Sequence, residues 1–155
     1  GERTPLHDPQ AKGAFFGLDL THNRGDLFRA VLEGVASGTA HVLDTYRELD
    51  AFPHRILAVG GGTKNAVWLQ ATSDIGGAGQ IVCEKTVGAS YGDAFLAATA
   101  VGRAMPEEIV EWNPVARTVR AEAVPAYARQ YPLFKRLYTQ TRDIAHELGA
   151  PTDAL

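Results

Sequence analysis

Arg55-Ile56-Leu57-Ala58-Val59-Gly60-Gly61-Gly62-Thr63-Lys64-Asn65 is the stretch that decides the fold of this chain. Its apolar start predicts a buried strand, its glycines predict a turn, and the following residues, Ala66 to Ile75, predict a helix. A strand, a glycine turn and a helix in this order direct free backbone N–H groups toward an anion. Glycine also lets a phosphate approach the backbone because it has no Cβ. The stretch indicates either a phosphate-binding loop or a tight structural turn.

Two common phosphate-binding patterns do not fit this loop. The spacing of Gly60, Gly61 and Gly62 is not G-x-G-x-x-G, and Lys64 is not followed by the Ser or Thr of a Walker A loop. A dinucleotide-binding dehydrogenase also needs an acidic residue for the ribose after the next strand, and only Glu84 comes near. A dehydrogenase is therefore a weak alternative.

Composition places the chain among ordinary globular proteins of one domain. It has 155 residues, 45% hydrophobic and 21% charged, with a net charge of −3. The basic residues are scattered, which argues against a nucleic-acid partner, and no apolar run reaches the roughly 20 residues of a membrane helix. The single cysteine, Cys83, predicts a reducing cytoplasm, and the five histidines lack the spacing of metal ligands.

Periodicity predicts several helices and few strands. Beyond the opening stretch, the pattern predicts a helix from Asp26 to about Leu49, which ends at Phe52-Pro53, and a strand at Gln80–Cys83. It then predicts a small-residue helix at Gly88–Val101, which is able to pack tightly under a sheet, and an extended piece near Arg117–Arg120. A last amphipathic helix is predicted with Pro132 in its first turn. Gly34 and Gly38 lie one turn apart on the first helix, and close packing is the expected reason. The alternation indicates an α/β architecture with two or three strands, fewer than the 4 to 6 typical of a sheet.

Four motifs in order resemble one known family, the FGGY carbohydrate kinases. Gly13-Ala14-Phe15-Phe16-Gly17-Leu18, followed seven residues later by Asp26–Glu33, is similar to the second signature of that family. The loop at Gly1–Gly13 resembles the segment before that signature in xylulokinases, which makes the chain most similar to xylulokinases within the family. Gly60–Asn65 resembles the nucleotide loop, and Glu84 with Gly88–Ala94 resembles the acidic residue and Gly-Ala-Ala helix that follow it.

The resemblance implies part of a two-domain kinase. In this family two ribonuclease-H-like domains face each other across a cleft, as in actin-like ATPases, and ATP binds mainly to the C-terminal one. The chain resembles the later part of that domain at residues 1–150, with a loose tail at 151–155. The expected fold is thus an α/β, partial ribonuclease-H-like domain that lacks the domain's first strands. The sugar domain and the catalytic aspartate of the family would precede Gly1, so no catalytic residue is expected among these 155.

The resemblance also assigns the residues that bind the nucleotide. The backbone of Gly61 and Gly62 is expected to meet the phosphates of ATP, and Thr63 to line the same loop. Asn65 stands where the family places a side chain for the adenine edge, often serine in xylulokinases, and it is equally a good helix N-cap. Lys64 is either a solvated charge or a phosphate contact. Mg²⁺ is expected to bind through the phosphates and water, with no metal site of the chain's own.

Other singled-out residues have mainly structural interpretations. Glu33 is expected to be a buried hydrogen-bond acceptor, Asp93 to make a helix-packing hydrogen bond, and Trp68 to pack into the core rather than stack on a base. Glu2 and Arg3 are expected either to form a surface ion pair or to belong to a loop near the cleft of the kinase.

Two hypotheses of function follow. The first is the nucleotide-binding portion of an ATP-dependent sugar kinase, which in the intact protein phosphorylates xylulose or a related ketose or polyol; these residues alone are predicted to be inactive. The second is a remnant or module without kinase activity that self-associates as a homo-oligomer, because a partial domain exposes apolar helix faces.

Overall fold

Helices form most of the computed structural model, which describes residues 1–149. In chain order the elements are α1 (Arg24–Glu48), β1 (Leu57–Ala58), a 3-10 turn (Gly61–Lys64), α2 (Ala66–Gly76), β2 (Gln80–Cys83), α3 (Ala89–Ala100), a second 3-10 turn (Pro106–Glu108), α4 (Ile109–Trp112), β3 (Val115–Val119) and α5 (Pro125–Gly149). The predicted tail at 151–155, with residue 150, lies outside the described residues. None of the helices in the described part is long and apolar enough to cross a membrane.

The three strands form one mixed sheet in the order β1-β2-β3. β1 is parallel to β2 with Leu57 opposite Ile81, and β3 is antiparallel to β2 with Arg117 opposite Val82. The sheet confirms the α/β architecture with few strands. The prediction of a buried strand at Arg55–Val59 is wrong, since β1 has two residues and the Leu57 side chain is 44% exposed. β1 is an edge strand, and within residues 1–149 no other strand pairs with its outer side.

The core lies between α1, α2 and the central strand. Its largest group of apolar side chains comes from one face of α1 and from α2: Leu32, Ala36, Ala40, Leu43, Leu69 and Ala71. A polar contact fixes the sheet to this core, because Gln80 Nε2 in β2 donates to Leu69 O and to Ser73 Oγ, both at 2.9 Å. Both Gln80 and Ser73 are buried, so these bonds satisfy groups that water cannot reach.

Helix α5 is attached to α1 by polar side chains. Asp44 accepts hydrogen bonds from the Tyr131 hydroxyl and from Lys135 Nζ at 3.0 Å. Burial by itself raises the pKa of Asp44, but these hydrogen bonds outweigh it, and the pKa is lowered overall. The carboxylate therefore stays ionised at neutral pH, where it holds the two helices together.

Sequence signals fix most helix ends. Asn23 caps α1 in a capping box with Asp26, and Gly77 ends α2 with a left-handed φ of 60°. α1 ends at Glu48, before the predicted stop at Phe52-Pro53. The placement of Pro132 in the first turn of the last helix is wrong: α5 begins at Pro125, and Pro132 lies inside the helix. Pro125 takes the position where a missing N–H costs nothing.

Two predicted packing roles are wrong. A Cβ added at Gly34 or Gly38 would meet nothing within 4 Å, so these glycines are not in close packing with any described element. The small-residue helix α3 does not pack under the sheet. Its one buried side chain, Phe95, instead meets Trp112 of α4 edge-on, with ring centroids 5.0 Å apart.

The N-terminal loop is attached to α5 through the buried carboxylate of Asp8. The Tyr138 hydroxyl donates to Asp8 Oδ2 at 2.9 Å, and His146 Nε2 lies 2.8 Å from the same oxygen. The Gln10 N–H donates to Asp8 Oδ1. The hydrogen bond with His146 makes the largest contribution to lowering the pKa of Asp8, from 3.8 to about 2, against the opposing effect of burial.

This depressed pKa makes the loop contact sensitive to acid. A folded pKa below the unfolded value means that the stabilisation is complete above about pH 4 and is lost as pH falls through about 2. We therefore expect the Asp8 carboxyl carbon to titrate near 2 in an NMR experiment. The Asp8→Asn variant should unfold at lower urea than the parent at pH 6, with the difference shrinking toward pH 2. An Asp8 carboxyl that titrates near 3.8 would contradict the contact.

Candidate functional site

The glycine turn, Gly60–Asn65, joins edge strand β1 to helix α2. Gly60 has a φ of 86°, which only glycine adopts without strain, and residues 61–64 then form a 3-10 turn. The Thr63 N–H donates to Gly60 O at 3.2 Å, and the Asn65 N–H donates to Gly62 O at 3.0 Å. Within residues 1–149 the N–H groups of Gly61 and Gly62 have no hydrogen-bond partner. The predicted order of strand, turn and helix is confirmed, although the strand is shorter and more exposed than predicted, and the turn presents two N–H groups without a partner among the described residues.

Hydrogen bonds from three directions hold the turn in this shape. The Gly60 N–H donates to Thr86 O at 2.8 Å in the loop after β2. The Thr63 hydroxyl donates back to Gly60 O at 2.7 Å, and Arg117 Nη2 of β3 donates to Thr63 O at 3.1 Å. Thr63 is only 6% exposed, so its hydroxyl hydrogen stabilises the turn and does not face solvent. Its predicted role in lining a ligand loop stays a prediction.

The two central glycines of the turn have different surroundings. A Cβ at Gly62 would lie 2.8 Å from Cζ3 of the Trp68 indole, whereas a Cβ at Gly61 would meet nothing within 4 Å. Trp68 is half-buried and its indole lies against Gly62, so the predicted packing into the core is met only in part. Gly62 is therefore required by the indole, while a side chain at Gly61 would start in open space.

Asn65 caps helix α2, as one of its two interpretations predicts. Its Oδ1 accepts the Trp68 N–H at 3.1 Å. The Nδ2 group of Asn65 has no hydrogen-bond partner in the described part of the chain, so its two N–H donors remain for a ligand. The contact with adenine stays a prediction.

The other predicted polar residues have mixed outcomes. Glu33 is confirmed as an acceptor, since it receives hydrogen bonds from the Tyr127 hydroxyl at 2.8 Å and from Arg29 Nε at 2.7 Å, but it is half-buried and not buried as predicted. The hydrogen bond predicted for Asp93 is absent from residues 1–149, because that side chain is exposed. Glu2 accepts the Arg3 N–H at 3.1 Å, but the two side chains form no ion pair within the same residues.

Two residues of the site carry no signal in the sequence. Thr86 contributes only its backbone carbonyl, and Arg117 lies 54 positions beyond the carbonyl that it contacts. Neither stands in a motif, and only the pairing of β3 with β2 brings Arg117 to the turn. Among the described residues no group of three or more His, Cys, Asp or Glu could hold a metal ion.

Comparisons with known proteins all find similarity to carbohydrate kinases. The sequence model of one protein family, described as the C-terminal domain of the FGGY family of carbohydrate kinases, matches residues 1–101. The xylulose kinase of Bacillus subtilis (strain 168) is 33% identical over 149 residues, and that of Escherichia coli (strain K12) is 38% identical over 149 residues. These alignments cover 93% and 90% of this chain but 30% of each relative.

Solved structures agree on the fold. The crystal structure described as a xyloylose kinase from Brucella ovis superimposes with a TM-score of 0.81 at 32% identity, and the match covers 93% of this chain and 31% of that one. The α/β architecture is thus that of part of a sugar kinase with the actin-like ATPase fold, as the family resemblance implies. The chain spans about 30% of the length of the curated relatives that it matches.

The different surroundings of the two glycines can be tested by alanine substitution. In urea unfolding we expect Gly62→Ala to lower the free energy of unfolding by about 1–3 kcal/mol, because the new Cβ overlaps the Trp68 indole. Gly61→Ala should stay within about 1 kcal/mol of the parent, because its Cβ enters open space. The double variant Gly62→Ala, Trp68→Leu should recover part of the loss. Equal losses at the two glycines would contradict this geometry.

Proposed function

The chain belongs to the FGGY family of carbohydrate kinases, and we propose that it supplies the nucleotide-binding portion of an ATP-dependent, xylulokinase-like sugar kinase. The observation that carries the proposal is the glycine turn, whose Gly61 and Gly62 N–H groups lack partners within residues 1–149. The turn lies inside the part of the chain that matches the family. In the intact kinase, the reaction transfers the γ-phosphoryl group of MgATP to a sugar hydroxyl.

Each residue of the turn has a distinct part in this proposal. The Gly61 and Gly62 N–H groups donate to phosphate oxygens, which are strong acceptors of charge-assisted hydrogen bonds. Thr63 keeps the turn in shape, and the unpartnered Asn65 Nδ2 donates to an acceptor on the adenine edge. Mg²⁺ is held by the phosphates and by water, as is usual for this ion with nucleotides.

These 155 residues are proposed to bind the nucleotide without turnover. Transfer to a sugar hydroxyl needs a general base with a suitable pKa, and the resemblance places the family's aspartate outside this sequence. The aspartates of the N-terminal loop are poor substitutes: hydrogen bonds lower the pKa of Asp8 to about 2, and bonds from Thr21 lower that of Asp19. Residues 1–150 therefore act as the C-terminal part of the ATP-binding domain.

The acceptor and the compartment follow from the family. Xylulose is the proposed sugar, with related ketoses and polyols as alternatives, because the relatives reported above are named xylulose kinases. The cytoplasm is the proposed compartment, because ATP supplies the phosphoryl group and the single cysteine needs no oxidising environment.

Equilibrium dialysis with MgATP tests the proposal. We expect saturable binding of one nucleotide per chain, with no phosphorylation of xylulose. Gly61→Val should weaken binding at least about tenfold, because an isopropyl group next to the Gly61 N–H crowds a bound phosphate, and it should not unfold the chain, because a Cβ there meets nothing within 4 Å. Gly13→Val is the matched control, since a Cβ at Gly13 also meets nothing within 4 Å but lies in the N-terminal loop. Absence of binding, or equal binding by both variants, would contradict the proposal.

A second candidate function, a self-associating module without kinase activity, is favoured by α1. One face of this helix is buried through residues such as Leu32 and Leu43. Apolar side chains also line a strip of α1 and its C-cap that flanks the buried face, and they are exposed: Phe28 (60%), Val31, Val35, Tyr46 and Leu49 (70%). An apolar strip of this length normally packs against another surface, and a second copy of the chain is the proposed cover.

Sedimentation velocity tests this candidate directly. We expect association that increases with concentration and that Val35→Asp weakens by at least tenfold, because the substitution buries a charge in the contact. Val101→Asp is the matched control, since Val101 is also exposed but lies beyond α3. A sharp monomer at every concentration would exclude self-association, and MgATP binding by such a monomer would leave the kinase proposal intact.

A further inference from the structure

Arg117 reaches the glycine turn from the opposite edge of the sheet. It lies on β3 in register with Val82 of the central strand, whereas the turn follows β1 on the far side of that strand. Its Nη2 donates to Thr63 O at 3.1 Å. This bond joins edge strand β3 to the turn that follows edge strand β1. Its acceptor residue, Thr63, is buried.

The position of the Arg117 contact within the turn determines its electrostatic effect. Thr63 O lies toward the carboxyl end of the four-residue 3-10 turn, whereas the Gly61 and Gly62 N–H groups lie at its amino end, so the guanidinium contacts an acceptor and leaves these donors free. This hydrogen bond stabilises the orientation of the turn. The guanidinium is always charged and has five N–H donors, so one bond to Thr63 O leaves its charge unneutralised.

No acidic side chain competes for Arg117 in the described part of the chain. The ion pairs found within residues 1–149 involve Arg29, Arg47, Lys135, Arg142 and two histidines, but not Arg117. The backbone carbonyl of Thr63 is therefore the contact that directs this side chain. The other restraints on the turn, the Gly60–Thr86 bond and the Trp68 indole, are uncharged.

We propose that Arg117 is a positioning residue of the glycine turn: it holds Thr63 O so that the Gly61 and Gly62 N–H groups face outward, and its charge strengthens the binding of an anion there. The anion part rests on the proposed nucleotide site. The restraint on the turn does not, because it follows from the contact with Thr63 alone.

Hydrogen–deuterium exchange of the chain without nucleotide tests the restraint. In Arg117→Met we expect the Thr63 and Asn65 amides, which donate within the turn, to exchange about tenfold faster than in the parent. Arg117→Lys should restore part of the protection. Arg120→Met removes the same charge three positions further along the chain, and we expect it to leave the turn unchanged. Parental exchange in Arg117→Met would overturn the proposal, and Arg117→Lys decides if the methionine variant does not fold.

Nucleotide affinity tests the contribution of charge. We expect Arg117→Met to weaken MgATP binding about tenfold and AMP binding less, with a smaller salt dependence than the parent. Arg120→Met should bind like the parent. If the parent binds MgATP and Arg117→Met binds it equally well, the charge contribution is overturned while the nucleotide site stands. If the parent binds no nucleotide, the proposed function and the anion part fail together, and exchange alone decides the restraint.

Discussion

The buried amide of Gln80 is the interaction on which the arrangement of the sheet and the glycine turn depends. It donates to Leu69 O and Ser73 Oγ of α2, and Ser73 is fully buried. A buried donor without these acceptors would cost about 1–3 kcal/mol, so β2 cannot slide along α2 without losing stability. Since β1 pairs with β2 and the turn leads from β1 into α2, both ends of the turn are fixed by this contact.

The position of the glycine turn depends on this fixed arrangement of β1, β2 and α2. A two-residue edge strand would position a loop poorly by itself, but the loop is also attached to Thr86 and to Arg117. These contacts use the carbonyl oxygens of the turn and the Gly60 N–H. They leave the Gly61 and Gly62 N–H groups unused within residues 1–149, which is the feature expected of an anion-binding loop held ready for its ligand.

Local signals made the centre of the chain predictable from sequence. The glycine turn, the helix that follows it, strand Gln80–Cys83 and the Asn65 cap all depend on neighbouring residues. The predictions that failed depend on which elements meet in space. A sequence that shows glycines at 34 and 38 cannot show that both face open space, and small residues in α3 do not reveal that the helix packs on Trp112.

The candidate site likewise contains residues that the sequence indicates and residues that only the structure reveals. Gly61, Gly62, Thr63 and Asn65 can be proposed from the sequence because they lie in one short motif, inside the part of the chain that matches the family. The indole over Gly62 and the guanidinium at Thr63 O cannot be, because they depend on a side-chain conformation and on strand register. Pro132 inside α5 is a further case, since Pro125 also satisfies the rule that places proline in a first turn.

The most direct test of the account is an amide NMR titration of the isotopically labelled chain with MgATP. The account predicts that the Gly61 and Gly62 resonances move most, because their N–H groups gain phosphate acceptors. Gly77 and Gly102, which lie in other turns, should stay in place. A titration that leaves Gly61 and Gly62 unchanged, or that moves only residues outside the glycine turn, would contradict the central claim that this turn binds the nucleotide.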